Sequence, residues 1–470
     1  MPIHCFDEFP PALRKAHSVT DDICRAPTGL ATAEAQGNWN RMATSFLAHG
    51  AAAPEHLRRV LEREPEAALP LAAEGLFCLM LGRRETAAAA GASASAARRA
   101  LDLAGAPPRA AAWVEALEGW LDGSPGAALF HLEGVLAVNP ADTLTAKVVH
   151  AIRFMMGDAS GMRRSIERAL AGHDGDHPLR GYALGCHAFA LEETGDYAAA
   201  EAAGRAGLDL AADDAWGLHA VAHVHDMTHR PRAGIALLER NDGAWSHCNN
   251  FRFHVWWHKA LLHLDLGDYD RALSLYDTRI RTEKTDDYRD LANAASLLVR
   301  LELDGVDVGQ RWGELADIAE NRVDDGCLVF ADLHYMLALT GDTRRDAAGR
   351  LMAQVAASGA ATTEQGRVAA HPGLAAAEGL AAFGEGCHAR AFDRLCAARA
   401  HMPTIGGSHA QRDVFERITV DAGIRAGRLE AASAILDSRT ALRGGHADTF
   451  ARTRRNRIAD ARRATDHAAE

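Results

Sequence analysis

The sequence predicts an all-α superhelix of stacked helix pairs, and three observations predict it. Strand signals are nearly absent, with no alternating runs rich in Val, Ile and Thr. Apolar residues recur instead at three- and four-residue spacing in an Ala-rich background, which favours amphipathic helix. Short Gly- or Asp-containing turns interrupt that pattern at a regular interval, as a repeat architecture requires.

The turns fall, in chain order, at Gly82, Gly123, Gly157, Gly195, Gly267, Asp304-Gly305, Gly341 and Gly427, mostly 34 to 41 residues apart. The double interval from Gly195 to Gly267 contains His229-Arg230-Pro231, and the gap after Gly341 contains a turn near Gly384–Gly386. A period near 34 residues marks the tetratricopeptide repeat, a helix–turn–helix unit that buries its apolar face only by stacking on neighbours. The best unit runs from Tyr182 to Asp214. There Leu184-Gly185 opens a helix, Gly195-Asp196-Tyr197 turns it, and Ala199, Ala202 and Ala206 are expected to admit close packing. Leu266-Gly267-Asp268-Tyr269 repeats the turn. Several first helices read longer than the standard unit and the boundary Pro is often missing, so the repeats are degenerate. The Ala-rich stretch 84–112 still reads as helix. Three regions follow: an N-terminal segment 1–34, a solenoid 35–442, and a basic, polar helix or tail 443–470, expected to be a solvated helix that frays, the alternative being a partner-binding arm.

A chain of 470 residues exceeds one compact core, so an extended array or several domains is expected. A hydrophobic content of 48% with 24% charged residues describes a folded protein. A formal charge of −12 argues against nucleic acid as partner, because phosphate binding needs a basic face. The start of the chain lacks the basic stretch and apolar run of a signal peptide, and no apolar stretch is long enough to span a bilayer. Eight scattered cysteines without a Cys-x-x-Cys pair (Cys5, Cys24, Cys78, Cys186, Cys248, Cys327, Cys387, Cys396) fit reduced, buried thiols and a cytoplasmic setting.

Four stretches carry a more specific likeness. They are Asp214–Met227 (DAWGLHAVAHVHDM), Asn249–His258 (NNFRFHVWWH) running into Leu266–Asp270, Asp332–Ala338 (DLHYMLA), and Gly406–Asp413 (GGSHAQRD). In this order they resemble the tetratricopeptide repeat protein 38 family, over roughly residues 35–440. The resemblance implies an α-solenoid and transfers no activity. The sequence departs from the family pattern at His229-Arg230-Pro231, which replaces a Gly-containing turn, and at His187.

The chemistry to be expected sits on the first helices, which line the concave side of such a solenoid. His219 and His223 are four apart and share one helix face; His254 and His258 repeat the spacing in the next first helix. Counted back from their turns the two pairs overlap in phase, so four imidazoles are expected to converge in one groove. Pairs at this spacing ligate Zn²⁺ or Fe²⁺. The Glu of a His-Glu-x-x-His motif is absent, and Glu192, Glu193, Asp226 and Asp332 are near only in sequence. A metal centre, a metal-free pocket using His as acid or base, and histidines merely packed in the core all remain open. His150 and His334 each stand seven residues before a turn glycine and are secondary candidates for ligand contact.

Gly406–Asp413 is a second candidate. Ser408 can cap a helix beginning near His409, and the segment either walls the groove with His409, Gln411 and Arg412 or braces neighbouring units. Arg412 would offer a fork for an anion. Trp257, with Trp256, either stacks on a ligand or fills the core. No nucleotide-cofactor motif survives: Gly384–Ala389 matches a dinucleotide fingerprint by letter, but no strand precedes it.

Two function classes result. In one, the His- and Trp-rich groove binds a small molecule and acts on it by acid–base or metal-assisted chemistry, with His219, His223, His254 and His258 as the acting groups. In the other, a non-enzymatic adaptor holds a peptide or partner protein. The scarcity of Lys on the first helices leans toward the first. Exposed edges at both ends of a solenoid are compatible with a homodimer.

Overall fold

In a computed structural model, which describes residues 21–104 and 107–469, 24 α-helices follow one another from Ala33 to Ala469. No strand occurs among the described residues, and one isolated antiparallel bridge joins Gly50 to Cys248. No described helix is long and apolar enough to cross a membrane. Cys5 and the chain start lie outside the described residues; the other seven cysteines are free, and Cys387 is exposed rather than buried.

Consecutive helices pack in pairs, such as Arg180–Glu193 against Tyr197–Leu210, giving the tetratricopeptide-like solenoid. Nearly all the expected turn glycines take positive φ. Gly341 does not: its helix runs through it to the end, and Thr343 turns the chain instead with φ 58°. His229 takes a glycine's place with φ 50°, and Pro231 then starts the next helix, where its missing N–H costs nothing. In the best unit the contact face is one step off the expected phase. Ala202 and Ala206 are exposed, whereas Ala200, Gly204 and Gly207 are buried. A Cβ on Gly204 would stand 2.5 Å from Val221, so the absent side chain sets that helix spacing.

The superhelix winds back onto itself. The backbone N–H of Asn249 donates to His49 O at 2.9 Å, Ser124 Oγ donates to Glu364 at 2.8 Å, His409 N donates to Glu193 at 2.8 Å and Thr449 N donates to Asp265 at 2.9 Å. These join residues about 184 to 240 positions apart, so the turns of one coil meet the helix starts of the next. Gly157 shows how close the seam is. With φ 69°, a Cβ there would stand 1.7 Å from Pro403 O.

The basic C-terminal segment is not the solvated helix its composition suggests. In Thr449–Ala469, Phe450, Ala451 and Ile458 are buried, and Arg454 is fully buried against Asp421, Asp304 and Leu303 O. At the other end, Asp22 is buried and accepts from Trp39 Nε1 at 2.8 Å and Arg109 Nη1 at 2.7 Å, fastening residues 21–32 to the repeats.

Candidate functional site

Four successive inner helices build the site. Arg180–Glu193 brings Glu192 and Glu193 in its last turn, Ala215–Met227 brings His219 and His223, Phe251–Asp265 brings His254 and His258, and Tyr288–Leu303 brings Asn293. The i,i+4 spacing aims both rings of each pair at the neighbouring helix, and the four side chains converge as their phase predicts. Nε2 of His219 lies 2.9 Å from Nε2 of His254, 3.0 Å from that of His258 and 2.9 Å from that of His223. Nε2 of His254 and His258 are 3.1 Å apart.

Hydrogen bonding alone does not account for this geometry. An imidazole nitrogen either donates one proton or accepts at one lone pair, whereas Nε2 of His219 faces three other nitrogens. Four nitrogens about 2.0–2.1 Å from a tetrahedral ion stand about 3.3–3.4 Å apart. Opening these four short contacts by a few tenths of an ångström would bring them to that spacing.

The far sides of two rings are held as ligand imidazoles usually are. His254 Nδ1 donates to Asn293 Oδ1 at 3.0 Å, leaving its Nε2 lone pair toward the cluster, and His223 Nδ1 faces Glu192 Oε2 at 3.4 Å. Burial, helped by the neighbouring rings, holds His219 and His258 well below the usual imidazole range. Burial also lowers His254, to about 3. Burial alone would lower His223 too, but the facing carboxylates outweigh it and raise this ring. Burial raises Glu192, despite the opposing pull of His223.

His219 and His254 also border a chamber of about 220 Å³ between the two coils. Its walls come from across the chain: Phe46 and His49, Lys147, His150 and Phe154, Trp216, Phe251, Tyr288 and Arg289, Phe330, and Gly407, Ser408 and Gln411 as the roof. His150 thus reaches the chamber. So does Gln411, which completes the capping box of His409–Arg425: its side chain accepts from Ser408 N, and Ser408 Oγ accepts from its N–H.

Four other expected contacts lie elsewhere. Trp257 is fully buried behind the chamber, stacked on His254 at 5.3 Å, with the Arg300 guanidinium 5.6 Å from its ring. Trp256 packs outward on Trp245. His334 donates from Nδ1 to Phe330 O at 2.7 Å and packs on Phe415. His409 donates from Nε2 to Glu193 O at 2.9 Å, and Arg412 pairs with Glu193 Oε2 at 3.3 Å, so this candidate anion fork is already occupied by a carboxylate. Helical phase explains the division of the segment. Gly407, Ser408 and Gln411 face the chamber, while His409 and Arg412 brace the seam. Asp332 lines a different cavity of about 390 Å³, which shares only Met155, Leu328 and Ile405 with the chamber.

No family model matches the chain. Among solved structures it is similar to a Naa15/Naa10 complex bound to HypK-THB, at 12% identity over 87% of this chain and 63% of that one, with a TM-score of 0.25. It is also similar to the P58(IPK) TPR domain, at 14% identity over 83% of this chain and 98% of that one, with a TM-score of 0.20. The chain therefore spans under two thirds of the first of these. Likeness at this level leaves fold and site to rest on the helices themselves.

Sequence reasoning missed His49, Lys147, Trp216 and Arg289 in the chamber and Asn293 behind the cluster. Asn293 had a signal: it stands 39 positions after His254, as His258 does after His219, so the repeat interval leads to it. His49, Lys147 and Arg289 had none, because the coil closure that gathers them has no local signature.

Proposed function

We propose that this protein binds a transition-metal ion, Zn²⁺ or Fe²⁺, at His219, His223, His254 and His258 and presents it to a small molecule in the adjoining chamber. The observation that carries the reading is the convergence of four imidazoles, with Nε2 of His219 2.9–3.0 Å from the Nε2 atoms of the other three, beside a partly open cavity. Imidazole suits both ions. An ion held by all four rings would supply Lewis acidity to a ligand oxygen only by taking that oxygen as a fifth ligand. The chain's own groups orient the rings through Asn293 and Glu192 and exclude water with Phe251, Trp216 and Phe154.

The partial closure of the groove supports a small molecule over an extended peptide. A peptide needs an open concave channel, whereas here helix His409–Arg425 packs on helix Tyr288–Leu303, with Arg300 Nη2 donating to Ala410 O at 2.6 Å. The free cysteines support a reducing, cytoplasmic setting. The stretches that resemble the tetratricopeptide repeat protein 38 family include both His-bearing helices, so on this reading the chain is a metal-binding relative of that family.

The test is metal content by inductively coupled plasma mass spectrometry, on protein purified without chelator and after reconstitution with Zn²⁺ or anaerobic Fe²⁺. Near-stoichiometric metal that is lost in His219→Ala/His223→Ala, with helical circular dichroism retained, is the expected result. Wild-type protein that retains no ion after either reconstitution would sink the proposal.

A further inference from the structure

The cavity of about 390 Å³ that Asp332 lines lies in the seam between coils, and its charges are one-sided. Trp120 and Pro125 come from one coil, while Leu328, Val329 and Asp332 come from the next. Glu364 N donates to Gly123 O at 3.1 Å and fixes the join. Among the described residues the wall carries two carboxylates, Asp332 and Glu364, and no Lys, Arg or His.

The two acids differ in what they already hold. Glu364 accepts from Ser124 Oγ and from Gly126 N, each at 2.8 Å. Asp332 is only 5% exposed, yet its side chain makes no hydrogen bond and no ion pair among the described residues. Its oxygens open onto the cavity, whereas Oδ2 of Asp325 is sealed from solvent. Burial pushes Asp332 up to about 7; Asp325 adds to the rise and no cation opposes it. An ionised carboxylate so placed is costly, and a ligand that brings a positive charge and N–H donors would remove that cost.

We propose that this cavity binds a small primary amine, its ammonium on the Asp332 carboxylate and its apolar body against Trp120, Ile152 and Val368. An ammonium offers three donors and no acceptor, which is what a lone carboxylate lacks. A divalent cation would need about six oxygen ligands, whereas Asp332 is the one free carboxylate in the wall. A quaternary ammonium is usually held in a cage of aromatic rings, and here Trp120 is the one aromatic ring. The volume suits a small molecule, and exposed Ala361 with half-exposed Gln365 leaves a way in. The four-histidine centre stands or falls separately, because this cavity contains none of its residues.

Isothermal titration of the full chain with benzylamine, benzyl alcohol and benzyltrimethylammonium, at about pH 8 where the amine is protonated and Asp332 ionised, tests it. Benzylamine should bind at least about tenfold more tightly than benzyl alcohol, because only the ammonium makes charge-assisted hydrogen bonds. Benzyltrimethylammonium, which has no N–H, should bind more weakly than benzylamine. Asp332→Asn removes an unpaired charge at constant shape, so it should keep or raise the melting temperature and abolish the preference for benzylamine. Should that variant fail to fold, Val368→Trp, at a half-buried position on the wall, should fill the cavity and abolish benzylamine binding. Equal binding of benzylamine and benzyl alcohol would mean that Asp332 stays protonated, and it overturns the inference. Benzyltrimethylammonium binding as tightly as benzylamine overturns it too, as does benzylamine affinity unchanged in both variants. So does the absence of any benzylamine binding.

Discussion

Glu192 Oε2 lies 3.4 Å from Nδ1 of His223, and both side chains are buried from solvent almost completely. A ring whose Nε2 joins the four-histidine cluster is thus backed by a carboxylate that has no hydrogen-bond partner of its own. A carboxylate in that position fixes the ring and strengthens it as a ligand.

Glu192→Gln should therefore lower metal affinity by about 10–100-fold while leaving the helical content intact. Competition with a chromophoric chelator measures this. Unchanged affinity would mean that Glu192 serves the seam with Glu193 and not the cluster.

The seam makes a second expectation. Gly157→Ala forces a side chain into a left-handed conformation, which costs about 1–2 kcal/mol, and drives its Cβ into Pro403 O, for about 1–3 kcal/mol more. Gly195 has φ 83° with nothing within 4 Å of where a Cβ would stand, so Gly195→Ala should show the backbone cost alone. Paired urea titrations of the two variants read the difference directly.

Arg454 is fully buried between Asp421 and Asp304, with its guanidinium 4.3 Å over Phe450. Arg454→Ala leaves the Asp304 carboxylate without its ion pair and Asp421 with only the more distant Arg457, and should cost about 3–5 kcal/mol, far more than a substitution on a solvated tail. A change under about 0.5 kcal/mol in chemical denaturation would restore the solvated reading of this helix.

The same end of the chain should respond to acid. Burial alone would raise Asp413 and Asp448, but Arg439 outweighs it, aided by Arg417 and Arg443, and holds both carboxylates below their usual range. A carboxylate depressed in the folded state stabilises the fold above its unfolded value, near about 3.9. That contribution is lost as pH falls through the lower folded value. The melting temperature should therefore drop more steeply below about pH 4 in the wild type than in Asp413→Asn, which lacks one of the two groups.

Much of this was legible locally. The helix pairs, their turns and the facing of His219, His223, His254 and His258 follow from spacing, because helical phase is set by residues within one or two turns of each other. The capping role of Ser408 was equally local, since its partner Gln411 is three residues away. Helix phase over longer stretches was less secure. One step of error placed Ala202 and Ala206 in a contact that Gly204 and Gly207 make.

By itself, then, the sequence determined an all-α repeat array and a convergent histidine cluster, both products of short-range periodicity. Tertiary structure alone decided that the coil closes on itself. Closure brought His49, Lys147, Arg289 and Gln411 into one chamber, although they span some 360 positions of the chain. It also turned His409 and Arg412 from groove candidates into a brace for Glu193. The physical reason is that each repeat adds a small rotation whose sum over many repeats sets which distant side chains meet. No single stretch of residues carries that sum.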